Sequence, residues 1–355
     1  MHSRKPIILK EMLTFSKEGE KMRNKLISKV ALISTVAILT ALISSTALAW
    51  GPATHTWLAK KLGNKYGPLN LQEMYGAVLP DVFNLMFGDP HQEYLWNETH
   101  YNFWKVVDEA RCCRSRAFAY WFASHNELFG ADCTAHLDSF TYPGDGYVIK
   151  KSKELAPMLL DYEVEGVKIL KEFLDFYEFS DEEAYNLALR LANSNVEFAV
   201  DLRVRQDLDR LVGLQMLWAA KYRSLFVPFL LCKAYAQDYA DEAGKTVLEA
   251  CAIIATVEGE FKRYMEQYGA ILTLPTKEQI EEAMVELGVE LARTILFKEY
   301  EITDEPPREV MEYCLTRAGE LVEGDCLPEL QQTLIHVEEK LELNGIETCY
   351  WYWYW

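Results

Sequence analysis

The sequence predicts an all-α protein built as one multi-helix domain. From residue 151 onward, apolar residues recur at helical spacing, beginning with Leu155, Leu159 and Tyr162. The strict alternation of apolar and polar residues that is typical of β-strands is almost absent. Half of the 355 residues are hydrophobic and a quarter are charged, as in most globular proteins. These observations together favour helices packed around one core.

The helical pattern predicts roughly ten helices, with loops concentrated in residues 63–102 and 141–148. After the first helical stretch it continues through residues 187–217, 225–239, 246–265 and 280–297. Acidic residues follow Ser180, Thr276 and Pro307, and acidic side chains favour the first turn of a helix. We therefore expect helices to begin directly after these three positions.

Residues 1–49 are interpreted as an N-terminal prefix and a signal peptide. Basic residues precede an apolar run over residues 30–43, and small residues follow, ending in an Ala-Leu-Ala sequence at Ala49. This order is typical of a secretory signal, and it predicts cleavage after Ala49 with Trp50 as the first mature residue. The alternative is an uncleaved membrane anchor, for which the apolar run is short. We expect a secreted or extracytoplasmic protein.

The charge of the chain argues against a generic nucleic-acid binder. The net charge is −18, and it would be near −23 after cleavage because the removed segment is basic. Proteins that bind nucleic acids through the backbone present a basic face, so no stable nucleic-acid partner is expected. A phosphate-containing substrate remains compatible with this charge, because bound metal ions can reverse the local potential.

The remaining chain divides into a main domain, residues 50–349, and a wholly aromatic tail, residues 350–355. The tail either packs against the body or provides peripheral contact with a membrane surface, because Trp and Tyr favour the lipid headgroup zone. All eight cysteines lie after residue 49, and an even number in an exported protein permits disulfides. No cysteine pair has the C-x-x-C spacing of a thiolate zinc site.

The segment from residue 125 to residue 136 contains the strongest candidate for a metal site. If it forms one regular helix, His125, Asp132 and His136 lie within about 40° of one another on one face. Imidazole nitrogens and carboxylate oxygens in this combination suit zinc. The alternative is a polar helix face whose histidines are satisfied by ordinary hydrogen bonds.

Three further candidates are weaker when taken alone. His100 lies among aromatic residues in "ETHYNFW", Asp81 follows a proline in "VLPDVFN", and His55 lies five residues after Trp50. Each has an ordinary structural explanation, as a core histidine or a turn residue. Their order in the chain is more specific than any one of them.

This order resembles the zinc-dependent phospholipase C family and the related secreted single-strand nucleases. The opening "WGPATH" is similar to the start of the nuclease branch, and the resemblance covers roughly residues 50–205. It implies an all-helical, exported enzyme that holds two to three zinc ions. The implied metal ligands are Trp50, His55, Asp81, His100, His125, Asp132, His136, Glu197 and Asp201.

The resemblance also implies a role for each ligand. Trp50 would bind through its α-amino group and carbonyl oxygen together with His55, whereas His100 and His125 would hold another ion. Asp132 would bridge two ions, and Asp81 would be a ligand or the base that orients water. Asp81 and Asp132 are thus the expected catalytic residues. The third ion would be held by His136, Glu197 and Asp201.

Two departures from the family pattern affect these expectations. The gap between His125 and Asp132 is seven residues, where the family usually has four. Asn193 occupies the position at which the family has a histidine four residues before a glutamate, here Glu197. Asp201 lies one turn after Glu197 and could substitute for the missing ligand.

The expected function is therefore that of a secreted zinc-dependent hydrolase, similar to phospholipase C, acting on phospholipids or other phosphate esters. One alternative is a secreted single-strand nuclease of the same superfamily. Another is a metal-binding envelope protein whose catalytic site has decayed, and the asparagine at position 193 favours this alternative.

Overall fold

The computed structural model describes residues 50–63, 68–86 and 89–346. In this part of the chain the protein is all-α, as predicted, and contains fifteen α-helices rather than ten. No helix within it is long and apolar enough to cross a membrane. The predicted cleavage after Ala49 and the aromatic tail, residues 350–355, lie outside the described residues.

The first seven helices are short and surround the candidate ligands. They are α1 (Pro52–Leu62), α2 (Pro68–Val78), α3 (Gln92–Tyr101), α4 (Trp104–Glu109), α5 (Cys113–His125), α6 (Ala131–His136) and α7 (Tyr147–Leu160). A 3-10 helix, Leu79–Leu85, follows α2 directly. The prediction that loops are concentrated in residues 63–102 was wrong, because α2, the 3-10 helix and α3 lie there. These helices are too short, at two to four turns each, to show a clear apolar period in the sequence.

The second half contains the longer helices. A two-stranded antiparallel hairpin, Glu163–Val164 with Val167–Lys168, precedes them. The helices are α8 (Ile169–Phe176), α9 (Asp181–Arg203), α10 (Val212–Lys221), α11 (Val227–Ala243), α12 (Val247–Leu272), α13 (Lys277–Tyr300), α14 (Arg308–Val322) and α15 (Cys326–Leu343). A disulfide between Cys232 and Cys251 joins α11 to α12.

The predicted helix starts are confirmed. Ser180 caps α9 by accepting a hydrogen bond from the backbone N–H of Glu183, whose side chain bonds back to Ser180. Thr276 caps α13, and α14 begins directly after Pro307. Such caps stabilise a helix because its first N–H groups have no partner within the helix.

The predicted helical stretch over residues 187–217 is interrupted. Helix α9 ends at Arg203, and a π-helical turn, Val204–Leu208, separates it from α10. The backbone of Asp209 is extended, so its N–H reaches only Val204 and the helix cannot continue. Apolar periodicity persisted across this turn, which is why the sequence pattern did not reveal it.

A buried carboxylate holds the start of α1 against α9. Asp201 of α9 accepts hydrogen bonds from the backbone N–H groups of Ala53 and Thr54, each at 2.8 Å. It also accepts from the Thr54 hydroxyl at 2.7 Å and the Tyr268 hydroxyl at 2.9 Å. A Cβ on Gly51 would lie 2.6 Å from the Asp201 carboxyl carbon, so glycine permits this approach.

The position of Asp201 suits a negative charge, because the N-terminus of a helix carries a partial positive charge. Burial nevertheless raises the pKa of Asp201 to about 6, and the four donated hydrogen bonds limit that rise. The carboxylate therefore positions the segment that includes Trp50 and His55.

Trp50 is itself anchored inside the protein. Its side chain is only 1% exposed and stacks on Tyr147, with ring centroids 5.2 Å apart. The indole Nε1–H donates to Thr134 Oγ1 at 2.9 Å, and Thr134 also forms a 2.9 Å hydrogen bond with Thr333 of α15. One buried series of hydrogen bonds therefore links the start of the main domain to α6 and to α15.

We expect Asp201→Ala to lower the free energy of unfolding by about 3 kcal/mol or more, because it leaves several buried donors without an acceptor, at roughly 1–3 kcal/mol each. Urea denaturation measures the change. Asp207→Ala is the control, since Asp207 is exposed and pairs with Arg203 at the surface, where such pairs contribute about 1 kcal/mol or less. Equal effects in both variants would contradict the role given to Asp201.

Candidate metal centre

A buried carboxylate, that of Asp132, lies among three imidazole rings. His125 Nε2 is 2.8 Å and His100 Nε2 is 3.5 Å from Asp132 Oδ2. His55 Nε2 is 3.3 Å from the other oxygen, Oδ1. All four residues are at most 1% exposed. The fold thus brings together four of the predicted ligands from four separate helices, α1, α3, α5 and α6.

Asp81 completes this cluster from the 3-10 helix. Its two carboxylate oxygens lie 3.6 Å from His100 Nε2 and 3.6 Å from His125 Nε2. Asn84, one turn later, donates to Asp81 Oδ1 at 3.0 Å and holds the carboxylate in place. The Asp81 side chain is 16% exposed, whereas the other members are closed to solvent. Access to the cluster is therefore on the side of Asp81.

The imidazole rings are oriented by backbone carbonyls. His125 Nδ1 is 2.7 Å from the carbonyl oxygen of Ala77, and His100 Nδ1 is 2.9 Å from that of Trp96. A proton on Nδ1 satisfies these contacts and leaves Nε2 free to act as a ligand. Metal-binding histidines characteristically donate their second nitrogen in this way. Both Nε2 atoms point toward Asp132.

With the proton on Nδ1, His100 and His125 present bare Nε2 lone pairs to Asp132, so even the 2.8 Å approach of His125 Nε2 to Oδ2 is not a hydrogen bond. The Nε2 atoms of His55, His100 and His125 and both oxygens of Asp132 are buried and have no hydrogen-bond partner among the described residues. Buried polar atoms without partners are rare in folded proteins, because each costs free energy. Five of them converging on one point indicate a site that a cation would satisfy.

The electrostatics agree with this geometry. Burial alone would lower the pKa of His125, but the carboxylates of Asp132 and Asp81 raise it well above its usual value. Burial and the neighbouring His125 lower the pKa of His55, whose ring stacks on that of His125 at 4.1 Å. Although burial opposes it, His125 lowers the pKa of both carboxyl groups. The centre therefore holds negative charge that needs a cation.

The prediction of one continuous helix from residue 125 to residue 136 was wrong. Helix α5 ends at His125, and α6 begins at Ala131. Asn126 leaves the helical conformation, and its Oδ1 accepts hydrogen bonds from three following N–H groups, those of residues 128, 129 and 130. The three ligands meet because α6 folds back beside α5, and not because they share a helix face.

Gly130 allows this sharp return of the chain. A Cβ at this position would lie 2.5 Å from the carbonyl oxygen of Asn126 and 2.6 Å from that of Ser124. Only glycine fits such an approach without displacing backbone. The seven-residue gap between His125 and Asp132, which differs from the family spacing, thus accommodates a tight turn.

The turn also contributes a residue that the sequence analysis missed. Glu127 is 2% exposed, and its Oε1 lies 2.5 Å from His136 Nδ1. Its other oxygen, Oε2, is buried without a partner among the described residues. Glu127 could have been noticed as an acidic residue between two candidate ligands, but on one regular helix it would have faced away from them.

Glu197 and Asp201, the remaining predicted ligands, are placed differently from each other. Glu197 is buried and accepts a hydrogen bond from Asn193 Nδ2 at 2.8 Å. Burial raises its pKa well above the usual value, and the carboxylates of Asp81, Asp201 and Asp132 add to this rise. Glu197 therefore lies near the cluster, whereas the oxygens of Asp201 are occupied by the start of α1.

Among the described residues, three groups of side chains could each hold a metal ion, with their ligand atoms within 4.8 Å of one another. The groups are His55 with His125 and Asp132, Asp81 with His100 and His125, and Glu127 with Asp132 and His136. Neither Glu197 nor Asp201 belongs to them. Because Asp132 and His125 are each shared by two groups, the three form one continuous centre.

No protein-family model, curated protein or solved structure matches the chain significantly. The interpretation of the centre therefore depends on its own geometry: the buried ligand atoms, their unsatisfied state and the ring orientations described above.

We expect the purified protein to contain two to three divalent ions per chain and His125→Ala to lose at least one of them, because His125 belongs to two of the three groups. Elemental analysis of protein prepared without chelator measures this. His91→Ala is the matched control, since His91 precedes α3 and its ring lies beside Tyr239, outside the three groups. Less than one ion per wild-type chain, or equal loss in both variants, would contradict the metal assignment.

Proposed function

We propose that the protein is a zinc-dependent hydrolase of phosphate esters, with phospholipids as its substrates. The observation that supports this most directly is the set of five buried, unpartnered ligand atoms around Asp132. A mixture of imidazole nitrogens and carboxylate oxygens suits zinc better than the all-oxygen sites preferred by calcium and magnesium. The order of the ligands in the chain, which resembles the phospholipase C family, supports the substrate class.

The proposed ligand assignment follows two of the three groups directly and modifies the other. Asp81, His100 and His125 would hold one ion, and Glu127, Asp132 and His136 would hold another. In the remaining group Trp50 would join His55 and Asp132 in place of His125, whose only free ring nitrogen, Nε2, is used for the first ion. Zinc ions there would supply Lewis-acid activation of water and stabilise charge on phosphoryl oxygens. In this assignment Asp132 is the bridging residue, and Glu127 takes the place that the sequence analysis gave to Glu197 and Asp201.

The residues of the chain have distinct tasks in this proposal. Asp81, on the accessible side of the cluster and fixed by Asn84, orients water at the substrate and accepts its proton. His55, His100 and His125 would bind through Nε2, and the backbone carbonyls of Trp96 and Ala77 orient the rings of His100 and His125 through their second nitrogens. The closed inner side excludes solvent, which strengthens every electrostatic interaction at the centre.

The test compares hydrolysis of a short-chain phosphatidylcholine with that of single-stranded DNA, with and without added zinc. We expect zinc-dependent release of the phosphorylated headgroup and little cleavage of DNA, because the acidic chain gives polyanions no basic face. Preferential cleavage of DNA would support the nuclease alternative. Metal binding without hydrolysis of either substrate would support a decayed site.

In the same assay, Asp132→Asn should reduce the rate more than about 100-fold, since losing even a supporting group of a metal site costs 10–100-fold. Asp108→Asn is the matched control, because Asp108 is an exposed aspartate on α4. A rate that falls equally in both variants, or in neither, would contradict the role of Asp132.

A further expectation concerns the amino group of Trp50. A free α-amino group has a pKa near 8 and can act as a nitrogen ligand at neutral pH, whereas an amide nitrogen is a poor ligand. Protein that begins at Trp50 should therefore bind more metal and react faster than protein with an additional Met before Trp50. The hydrogen bond from the Trp50 indole to Thr134 supports this expectation, because Thr134 lies between the ligands Asp132 and His136 in α6.

Metal content and rate are measured on both preparations, and thermal melting checks that both are folded. The second comparison is Trp50→Ala in the correctly cleaved protein. This substitution should lower metal content and rate less than the additional Met does, because the amine and the carbonyl oxygen remain. Equal metal content and equal rate in the two preparations would exclude the amine as a ligand.

The role of Glu127 is tested with Glu127→Gln. We expect the metal content to fall by about one ion per chain while the other two ions stay bound, because a neutral amide is a weaker ligand than a carboxylate. Glu93→Gln is the control, since Glu93 is exposed on α3. Unchanged metal content in Glu127→Gln would mean that Glu127 only orients His136.

A further inference from the structure

Large apolar side chains are exposed together at the turn between α10 and α11. The exposed fractions are 47% for Trp218, 58% for Tyr222, 90% for Leu225, 42% for Phe226 and 50% for Phe229. Single exposed apolar residues are ordinary, but a group of this size in one segment is characteristic of an interaction surface. We call these five residues the α10–α11 surface.

The members of this surface lie beside one another and beside basic groups. The rings of Phe226 and Phe229 have centroids 5.1 Å apart. The ammonium group of Lys221 is 5.8 Å from the centre of the Tyr222 ring, and that of Lys233 is 5.3 Å from the Phe229 ring. Aromatic rings of this surface, here called the ridge, are thus in contact with each other at Phe226 and Phe229 and with lysines at Tyr222 and Phe229.

The charge around this ridge differs from that of the rest of the chain. The sequence has 54 acidic residues in 355, yet none occurs between Asp209 and Asp238. This interval contains four basic residues, of which Arg223 is used internally in an ion pair with Glu258 and Lys233 pairs with Glu109 at 3.3 Å. A strongly acidic protein therefore has a locally basic segment where its apolar residues are exposed.

Basic residues also occur at the start of α5, and one of them lies next to the α10–α11 surface. Arg111, Arg114 and Arg116 flank the start of α5, and all three are exposed. Arg114 lines one small pocket together with Ser224 and Phe226, which places it at the edge of the α10–α11 surface. No ion pair in the described part of the chain involves any of these arginines. Their charges are available to a partner.

We propose that the α10–α11 surface, with the arginines at the start of α5, docks the protein onto an anionic phospholipid bilayer. Exposed aromatic rings flanked by basic residues suit the interface, where Trp and Tyr lie at the headgroups and Lys and Arg contact lipid phosphates. Charge complementarity selects an anionic lipid surface, because residues 210–237 contain no acidic residue and Arg114, which has no ion-pair partner among the described residues, lies beside Phe226.

This docking is independent of the metal centre. The arginines lie at the first residues of α5 and His125 at its last, so the rise of 1.5 Å per residue separates the two ends by roughly 18 Å. The bilayer would therefore contact the protein away from the ligand cluster. Variants of the docking surface should leave metal content and hydrolysis of a soluble substrate unchanged.

The experiment is co-sedimentation of the full mature chain with vesicles of phosphatidylcholine alone and of phosphatidylcholine with 30% phosphatidylglycerol. We expect binding to the anionic vesicles that weakens as salt is added, because the arginine contacts are screened. The double variant Leu225→Ser/Phe229→Ser should bind at least about tenfold more weakly, since each buried Leu or Phe contributes about 1.5–3 kcal/mol. Thermal melting and metal content confirm that the variants are folded.

The matched control is Phe176→Ser/Leu343→Ser, which removes one Phe and one Leu that are 77% and 78% exposed elsewhere. It should bind like the wild type. Replacing Arg114 with Gln should weaken binding to anionic vesicles about fivefold, at roughly 1 kcal/mol. Binding to neutral vesicles should not change.

Three outcomes would overturn the proposal. The first is equal binding of wild type and the Leu225→Ser/Phe229→Ser variant. The second is a dimer, detected by size-exclusion chromatography, that this variant converts to a monomer, which would mean that a second copy of the chain covers the surface. The third is loss of binding only when residues 350–355 are deleted, which would assign the membrane contact to the aromatic tail.

Discussion

The burial of the Asp132 carboxylate among three imidazole nitrogens is the constraint on which the rest of the structure depends. A buried negative charge without hydrogen-bond donors is costly, and a site of this kind is stable only when a cation compensates it. The same demand for positive charge raises the pKa of His125 well above its usual value, through the carboxylates of Asp132 and Asp81. Metal ions in the same place would compensate more negative charge than one proton can.

The surrounding fold explains how such a centre is held. Its members come from α1, α3, α5, α6 and the 3-10 helix, and each of these elements is short. Short helices gain little stability from their own hydrogen bonds, so their positions depend on tertiary contacts. Asp201 fixes α1 from α9, Asn84 fixes Asp81, and backbone carbonyls fix the rings of His100 and His125. The long helices of the second half thus support a site to which they contribute few ligands.

The sequence predicted the helical class, the capped helix starts and the convergence of His55, Asp81, His100, His125 and Asp132. It could do so because apolar periodicity and capping residues are local signals, and because the order of these residues resembles a known family. Asp201 shows the limit of such reasoning. It lies one turn after Glu197 and on the same helix face, but the sequence does not reveal which hydrogen-bond donors surround its carboxylate. Four donors from α1 and α12 occupy its oxygens.

The turn between α5 and α6 was also beyond prediction, because helical angles apply only while the helix continues. Gly130 could be expected to bend a helix here, but the sequence does not show that Asn126 already ends it and that the chain folds back. The turn changes the set of candidate ligands as well as the ends of the two helices, because it places Glu127 beside His136. A residue that the regular helix would have turned outward became a candidate ligand.

The hydrogen-bonded chain from Trp50 through Thr134 to Thr333 has a consequence for folding in the cell. Synthesis delivers Trp50 well before Thr333, so the hydrogen bonds that hold the Trp50 indole are complete only after α15 has been made. Contacts between residues so far apart in sequence form slowly, because a long loop must close first. The part of the ligand cluster beside Thr134 is therefore expected to become fixed only after α15 has packed. The compartment in which this happens determines which metal ions the cluster first meets.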